Sequence, residues 1–195
     1  MAPITLRPPT FSPAKASADF KLPSIQWLME TWHVTHSTLP MWKSKRNVRI
    51  QYTPLDPSSP EIAKENTDRV DDLVTYQGLS GDKVSSVKGV DKAASGDSRG
   101  EWNWRGKGWL MIASSHWEVL GWGEEESTGN KWVVTMFAKT LFTPAGIDIY
   151  SKARGGLKTE IVEDIKAALT QVDDSDVKKM AGDLFEIKSD ESRTD

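Results

Sequence analysis

Short runs of alternating apolar and polar residues dominate the chain from Trp27 to Tyr150, and one change of period follows them. Alternation is plainest where Val48, Ile50 and Tyr52 interleave with Asn47, Arg49 and Gln51. It recurs where Trp132, Val134, Met136 and Ala138 fall between Lys131 and Lys139. A period of two sends successive side chains to opposite faces of a strand, leaving one face for a core and one for water. Eight such strands are expected, at 29–37, 46–53, 69–77, 83–90, 100–113, 116–123, 131–140 and 146–152. Turn-forming residues separate them: Pro54 to Pro60, Gly78 to Gly81, Ala94 to Gly100, Ser127 to Asn130 and Pro144 to Gly146. Between Leu157 and Val172 the spacing becomes helical, with Ile161, Val162, Ile165, Ala168 and Leu169 on one face. A second helix, capped by Asp174 or Ser175, carries Val177, Met180, Ala181, Leu184 and Phe185 as its apolar set.

The pattern predicts a mostly β fold: an eight-stranded antiparallel up-and-down barrel with a C-terminal amphipathic helix packed outside. Closure removes the exposed strand edges that such a sheet would otherwise present. Residues 1–22, with Pro3, Pro8, Pro9 and Pro13, read as a flexible arm, because each proline lacks the N–H needed for a helix or ladder. Ser24 is placed to cap a short turn through Ile25, Trp27 and Leu28 that plugs one end of the barrel. The barrel domain with its helices then spans 23–188, and the charged residues 189–195 read as a disordered tail.

A chain of 195 residues fits one domain with a sizeable core. Twenty-five Lys and Arg against 28 Asp and Glu leave a net charge of −3, so no basic field holds a polyanion, and nucleic acid is excluded as a partner. The N-terminus lacks the apolar run of a secretory signal, and no segment approaches a membrane span. A cytoplasmic protein without a membrane partner is therefore expected. The absence of cysteine removes disulfides, thiolate metal sites and cysteine nucleophiles together. Oligomeric state is left open by these features.

Nine tryptophans exceed what filling an eight-stranded core demands, which favours a cavity lined by flat apolar surface. The expected lining is Trp32, Trp102, Trp104, Met111, Trp117, Trp132, Met136 and Tyr150 on strands, with Met41, Trp42 and Phe142 in loops at the open end. Four connections form that end: 38–45, 78–82, a tight turn at Ser114-Ser115, and 141–146. On the first strand Trp32, Val34 and His36 share the more apolar face. That places His36 inward, about 13 Å from Trp32, and His33 outward. His116 opens the sixth strand at the rim. Trp117 and Val119 are that strand's inward set, which turns His116 outward unless the turn re-aims it.

A histidine exchanges protons near neutral pH, and a buried tyrosine donates a hydrogen bond to a carbonyl, so His36, His116 and Tyr52 are the catalytic candidates. Tyr150 and Asp148 are further possible donors or bases. His33-x-x-His36 puts its rings on opposite faces of a strand and is rejected as a metal site. Ser114-Ser115-His116 lacks a nucleophile elbow, and Gly106-Lys107-Gly108 lacks the spacing of a phosphate loop.

Eight strands followed by a helix over residues 24–172, with Glu30-Thr31-Trp32 opening the first strand and Arg154 following the eighth, resembles the calycin superfamily of lipocalins and fatty-acid-binding barrels. Lipocalins place Gly-x-Trp at that position. The resemblance implies that Trp32 closes the blind end against Arg154, with Glu30 standing where the family has glycine. In size, lack of cysteine and tryptophan content the chain is also similar to small lipocalin-like proteins of microbial natural-product pathways, several of which are Diels–Alderases or related cyclases. That likeness implies a cofactor-independent cyclase of Diels–Alder or hetero-Diels–Alder type, with or without dehydration, acting on an apolar polyketide- or terpenoid-like substrate. The alternative is a non-catalytic carrier of a fatty acid, terpenoid or pigment. A haem barrel of nitrobindin type needs a histidine ligand, for which no motif is present.

Overall fold

A computed structural model describes residues 3–94 and 100–193 of the chain. Eight strands follow one another in space as in sequence: β1 (Thr31–Ser37), β2 (Lys45–Pro54), β3 (Arg69–Gly78), β4 (Val84–Ala93), β5 (Glu101–Gly106), β6 (Ser114–Glu124), β7 (Lys131–Phe137) and β8 (Gly146–Ser151). Each pairs antiparallel with its neighbour, and β1 pairs with both β8 and β2, which closes the barrel. The expected 94–100 turn lies, apart from its two ends, outside the described residues.

One end is sealed by the helical turn α1 (Ile25–Leu28), where the Ser24 side chain accepts from the Trp27 N–H, as the sequence predicts. Ile25 and Leu28 are buried, and the Trp32 indole N–H donates to the Leu28 carbonyl at 2.9 Å. The 13-residue helix α2 (Thr159–Gln171) buries Ile161, Val162, Ile165 and Leu169, the stripe read from the sequence, against the outer wall of β7 and β8. Asp174 caps α3 (Ser175–Ala181) by accepting from the N–H groups of Asp176 and Val177. The core is therefore double. One cluster fills the barrel, and a second, with Leu120, Trp132, Val134, Met136, Ile147 and Ile149, lies between wall and helices.

Several elements depart from expectation. Leu184 and Phe185 are not helical; Phe185–Glu186 forms a ninth strand, β9, that pairs with His36 and Ser37 of β1. From there the chain crosses the β1–β2 seam. Lys188 accepts from the Asn47 N–H, Asp190 pairs with Arg46, and Arg193 donates to the Asn47 carbonyl, so 189–193 is docked instead of loose. The Arg46–Asp190 ion pair and hydrogen bonds with the Asn47 amide anchor it, and of this tail residues 194 and 195 lie outside the described set. The arm is likewise held. Arg7 is buried, forms an ion pair with Glu118 at 2.9 Å, and donates to the Val119 carbonyl. Finally, the predicted 100–113 strand stops at Gly106, and a short helical turn, Gly108–Leu110, follows Lys107. Ser114 and Ser115 belong to β6, and the open-end connection is 107–113.

Candidate functional site

Inward positions follow from the alternation. Trp32 and Val34 of β1, Val48, Ile50 and Tyr52 of β2, Val70 of β3, Trp102 of β5, Trp117 and Val119 of β6, Val133 of β7 and Tyr150 of β8 form one buried cluster. Tyr52 stacks on Trp117 with centroids 5.4 Å apart and planes 14° apart, and Trp102 stacks on the same indole at 6.0 Å. Trp104 lies flat over Gly89, where an added Cβ would meet its Nε1 at 2.1 Å. Only a glycine permits that approach.

Among these apolar rings sit polar groups whose strand positions aim them inward. Asp72 of β3 and Asp91 of β4 are diagonal neighbours, since Asp72 pairs with Gly89 and Asp91 with Val70. Both are buried. The Trp117 indole N–H donates to Asp91 Oδ1 at 2.8 Å. Asp72 Oδ1 and Asp91 Oδ2 are buried without a hydrogen-bond partner, while the Tyr150 hydroxyl lies in a chain with Tyr52 and Thr135. Buried polar atoms are nearly always paired, so a concentration of unpaired ones inside an aromatic chamber marks a place for a polar guest.

Burial raises the pKa values of the titratable groups here and so weakens them as acids. It pushes Asp91 up to about 7 against the opposing Trp117 hydrogen bond. Burial, and then the neighbouring charge of Asp91, raises Asp72 well above the usual carboxylate range. Burial likewise raises Asp148 to about 7, opposed by the hydrogen bond from Ser37. Tyr52 and Tyr150 are pushed up by burial and then by nearby acidic groups, so both phenols stay protonated donors at neutral pH. The chamber therefore offers several proton donors and two carboxyls poised near half-ionisation, the condition for acid–base work at neutral pH.

The chamber is closed at both ends. At the open end the connection through the 3-10 turn Pro40–Ser44 folds inward, and Leu39 and Trp42 are buried there. Trp42 packs edge-on against Tyr76 at 5.8 Å, and its indole N–H faces the Asp148 carboxyl. Ser37 ties this plug to the wall, its hydroxyl accepting from the Leu39 N–H and donating to Asp148. The interior expected to be hollow is thus occupied by its own side chains. Open volumes of about 540 and 620 Å³ lie outside the barrel, one against the N-terminal arm and one beside α2.

Of the expected site residues, the chamber brings together Tyr52, Trp102, Trp104, Trp117 and Tyr150, with Trp32 at the blind end and Trp42 at the mouth. His36 is not among them. Val34 pairs with Tyr150 but His36 pairs with Ile149, so Thr35 is an extra residue in a bulge. The bulge turns His36 to the outer face and Ser37 inward. His36 lies under β9 and α2, and burial lowers its pKa. His116 faces outward as its neighbours predict, bonding Asn103 at 3.0 Å and Glu118 at 3.3 Å. Glu118, despite burial, is held at about 2 by His116, Thr10 and Arg7. Glu101, His116 and Glu118 place three ligand-type atoms together, but Arg7 and Thr10 already engage Glu118.

Trp132 and Met136 point to the outer cluster, because α2 and the arm cover that face of β7 and Val133 and Phe137 take the inner one. Met41, Met111 and Phe142 are exposed on the open-end loops. Arg154 donates to the Asp190 carbonyl; at the blind end Trp32 packs on Trp27 at 5.3 Å, and Lys131 lies 5.2 Å over Trp27. Asp72 and Asp91 were missed by sequence reasoning. Their signal was an acid on the apolar parity of its strand: Asp72 with Val70, Val74 and Tyr76, and Asp91 with Ala93.

No protein-family model matches the chain. It is 26% identical over 183 residues to "Botcinic acid biosynthesis cluster B protein 12" of Botryotinia fuckeliana (strain B05.10), covering 91% of this chain and 80% of that protein. Among solved structures, lobster apocrustacyanin A1 superposes with a TM-score of 0.55 and 12% identity over 87% of this chain and 82% of that one. The amine-binding protein of Rhodnius prolixus, solved with tryptamine, superposes with a TM-score of 0.50 and 12% identity over 82% of this chain and 77% of that one. With its closed eight-stranded order, plugged blind end and helices outside, the chain has the lipocalin-like barrel fold of the calycins.

Proposed function

We propose that the protein is a cofactor-independent cyclase acting on an apolar, conjugated substrate held in the barrel. The observation that carries this reading is the pair of buried acids, Asp72 and Asp91, each with one carboxyl oxygen left unpartnered, beside stacked aromatic rings and the Tyr52 and Tyr150 hydroxyls. A carrier needs only the apolar surface, whereas carboxyl oxygens buried in it without a partner are costly unless a bound polar group uses them. The relative from a biosynthesis cluster supports a place in small-molecule biosynthesis.

The ring closure exchanges π bonds for σ bonds within one molecule, and no atom, electron or oxidant enters or leaves. Protonated Asp91 or the Tyr150 hydroxyl hydrogen-bonds the substrate carbonyl, drawing electron density from the alkene and lowering the barrier. The indoles of Trp102, Trp104 and Trp117 hold the chain of double bonds folded on itself, which supplies the orientation part of the rate. In the dehydrating version, Asp91 protonates a leaving hydroxyl, water departs, and the Asp91 carboxylate so formed takes a proton from carbon and is restored. Because the closed interior is filled by its own side chains, entry requires that the Leu39–Trp42 plug swing away and that the stacked rings of Tyr52, Trp117 and Trp102 part to admit the substrate.

The test is incubation of the purified protein with the linear precursors of whatever small molecules co-purify with it, followed by mass-resolved chromatography. A product of unchanged mass, or lighter by one water, is expected from the wild type. Tyr150→Phe and Asp91→Asn are expected to lower its rate by about a hundredfold or more while the precursor still binds. His36→Ala leaves it unchanged. Stoichiometric retention of the precursor with no conversion by any form overturns the cyclase and leaves a carrier.

A further inference from the structure

In an up-and-down barrel the connections β1–β2, β3–β4, β5–β6 and β7–β8 share one end. Every one of these four carries a large apolar side chain in water: Met41 on the first, Leu79 on the second, Trp109 and Ile112 on the third, Leu141 and Phe142 on the fourth. Trp109 is 87% exposed, Ile112 83%, Leu141 97% and Phe142 73%. Side chains of this size are scattered singly on ordinary surfaces; a ring of them on one end marks a contact.

Charge says what the ring contacts. Segments 38–45, 79–83, 107–113 and 138–145 hold Lys43, Lys45, Lys83, Lys107 and Lys139 against Asp82; the C-terminal segment beside them adds Asp190 and Glu191, and Arg46 pairs with both Asp82 and Asp190, so the rim stays net cationic. Lys107 is partly engaged by Asp71 on the wall below. The opposite end has the reverse balance: connections 55–68 and 125–130 hold Asp56, Glu61, Glu65, Asp68, Glu125 and Glu126 against Lys64. Among the described connections, a chain of net charge −3 thus presents its cationic collar around an apolar tip at the open end.

We propose that this rim docks on an anionic lipid bilayer, with Trp109, Ile112, Leu141 and Phe142 entering the headgroup region and the lysines meeting lipid phosphates and carboxylates. Apolar tips flanked by lysine are the composition that binds an interface, and tryptophan favours that depth. A second copy is a poorer fit, because rim-to-rim contact sets lysine against lysine. The docking orients the barrel mouth and its Leu39–Trp42 plug toward the phase in which an apolar molecule dissolves. Among the described residues no helix is long and apolar enough to cross a bilayer, and a rim contact, unlike the membrane span whose lack argued against a membrane partner, needs none. The inference stands apart from the chemistry inside the barrel.

Co-sedimentation with two kinds of vesicle tests it: pure phosphatidylcholine, and phosphatidylcholine with about 30% phosphatidylserine. Binding is expected to the second only, and to weaken as salt rises. Trp109→Ser/Ile112→Ser, Leu141→Ser/Phe142→Ser and Lys43→Glu/Lys139→Glu are each expected to lower the bound fraction about tenfold. Their melting temperatures stay at the wild-type value, because the replaced side chains are exposed. Equal binding to both vesicles, no binding to either, or binding indifferent to these variants overturns the proposal. A wild-type dimer that the same variants dissociate assigns the rim to a second copy instead.

Discussion

Replacing Asp148 by asparagine keeps the outline of a buried side chain and removes one titration. The carboxyl lies on β8, inside the mouth, with Ser37 donating to its Oδ1. Its ordinary value is 3.8, and burial raises it to about 7. The folded chain therefore binds this proton more tightly than the unfolded one. Its contribution to stability is full below about pH 4 and is lost as the pH rises through about 7. Integrating over that window gives a loss of about 2.5 kcal/mol between pH 5 and pH 8 from this group alone. For a domain of this length that is about 5–10 °C in melting temperature. The amide of Asp148→Asn has nothing to titrate, so the variant gains on the wild type by that amount between the two pH values. Thermal melts of both proteins at each pH measure the difference, and Asp91, which titrates in the same range, cancels in it. A wild-type-minus-variant difference equal at pH 5 and pH 8 would mean that Asp148 ionises as it does in water, and the argument for a dry chamber would fail.

The arm and walls give further expectations. Arg7→Ala takes the cation from the buried Glu118 carboxylate, which Thr10 and His116 still bond, and is expected to cost about 1.5–3 kcal/mol by denaturant unfolding, with Glu118→Leu restoring part of the loss in the double variant. Because Glu118 is held near 2, its stabilisation is full above about pH 4.5 and disappears as the pH falls toward 2; Glu118→Gln removes that acid-side slope. Gly89→Ala drives a Cβ into the Trp104 indole and is expected to destabilise by about 2 kcal/mol or more, with a shift in tryptophan emission; an unchanged melt and spectrum contradict the close approach. Ile165→Ala, fully buried between α2 and the barrel, is expected to cost about 2–5 kcal/mol in the same unfolding assay.

The barrel was legible because period-two alternation and turn residues are local signals. β2 shows this best: Val48, Ile50 and Tyr52 face inward as their spacing dictates. β7 shows the limit. Its Trp132, Val134 and Met136 are apolar because helices cover the outer face, and periodicity identifies a buried face without saying which of two cores buries it. His36 was misplaced by one extra residue at Thr35, since a bulge reverses every later side chain and is specified by tertiary pairing. Asp72 and Asp91 escaped notice because an acid in a strand is ordinarily a solvated one; only the closure of the barrel reveals that their parity points inward. The tail and arm looked loose for the same reason. Arg46 and Glu118, which anchor them, are distant in sequence.

The central claim is that Asp72, Asp91 and Tyr150 face a guest. Its most direct test is a crystal structure of the protein soaked with all-trans-retinal, an apolar polyene ending in a carbonyl. The account predicts density inside the barrel, along Trp102 and Trp117, with the carbonyl oxygen at about 3 Å from the Tyr150 hydroxyl or the Asp91 carboxyl and Trp42 displaced from the mouth. Density confined to the outer surface, with the Leu39–Trp42 plug in place and the buried acids unchanged, would contradict it.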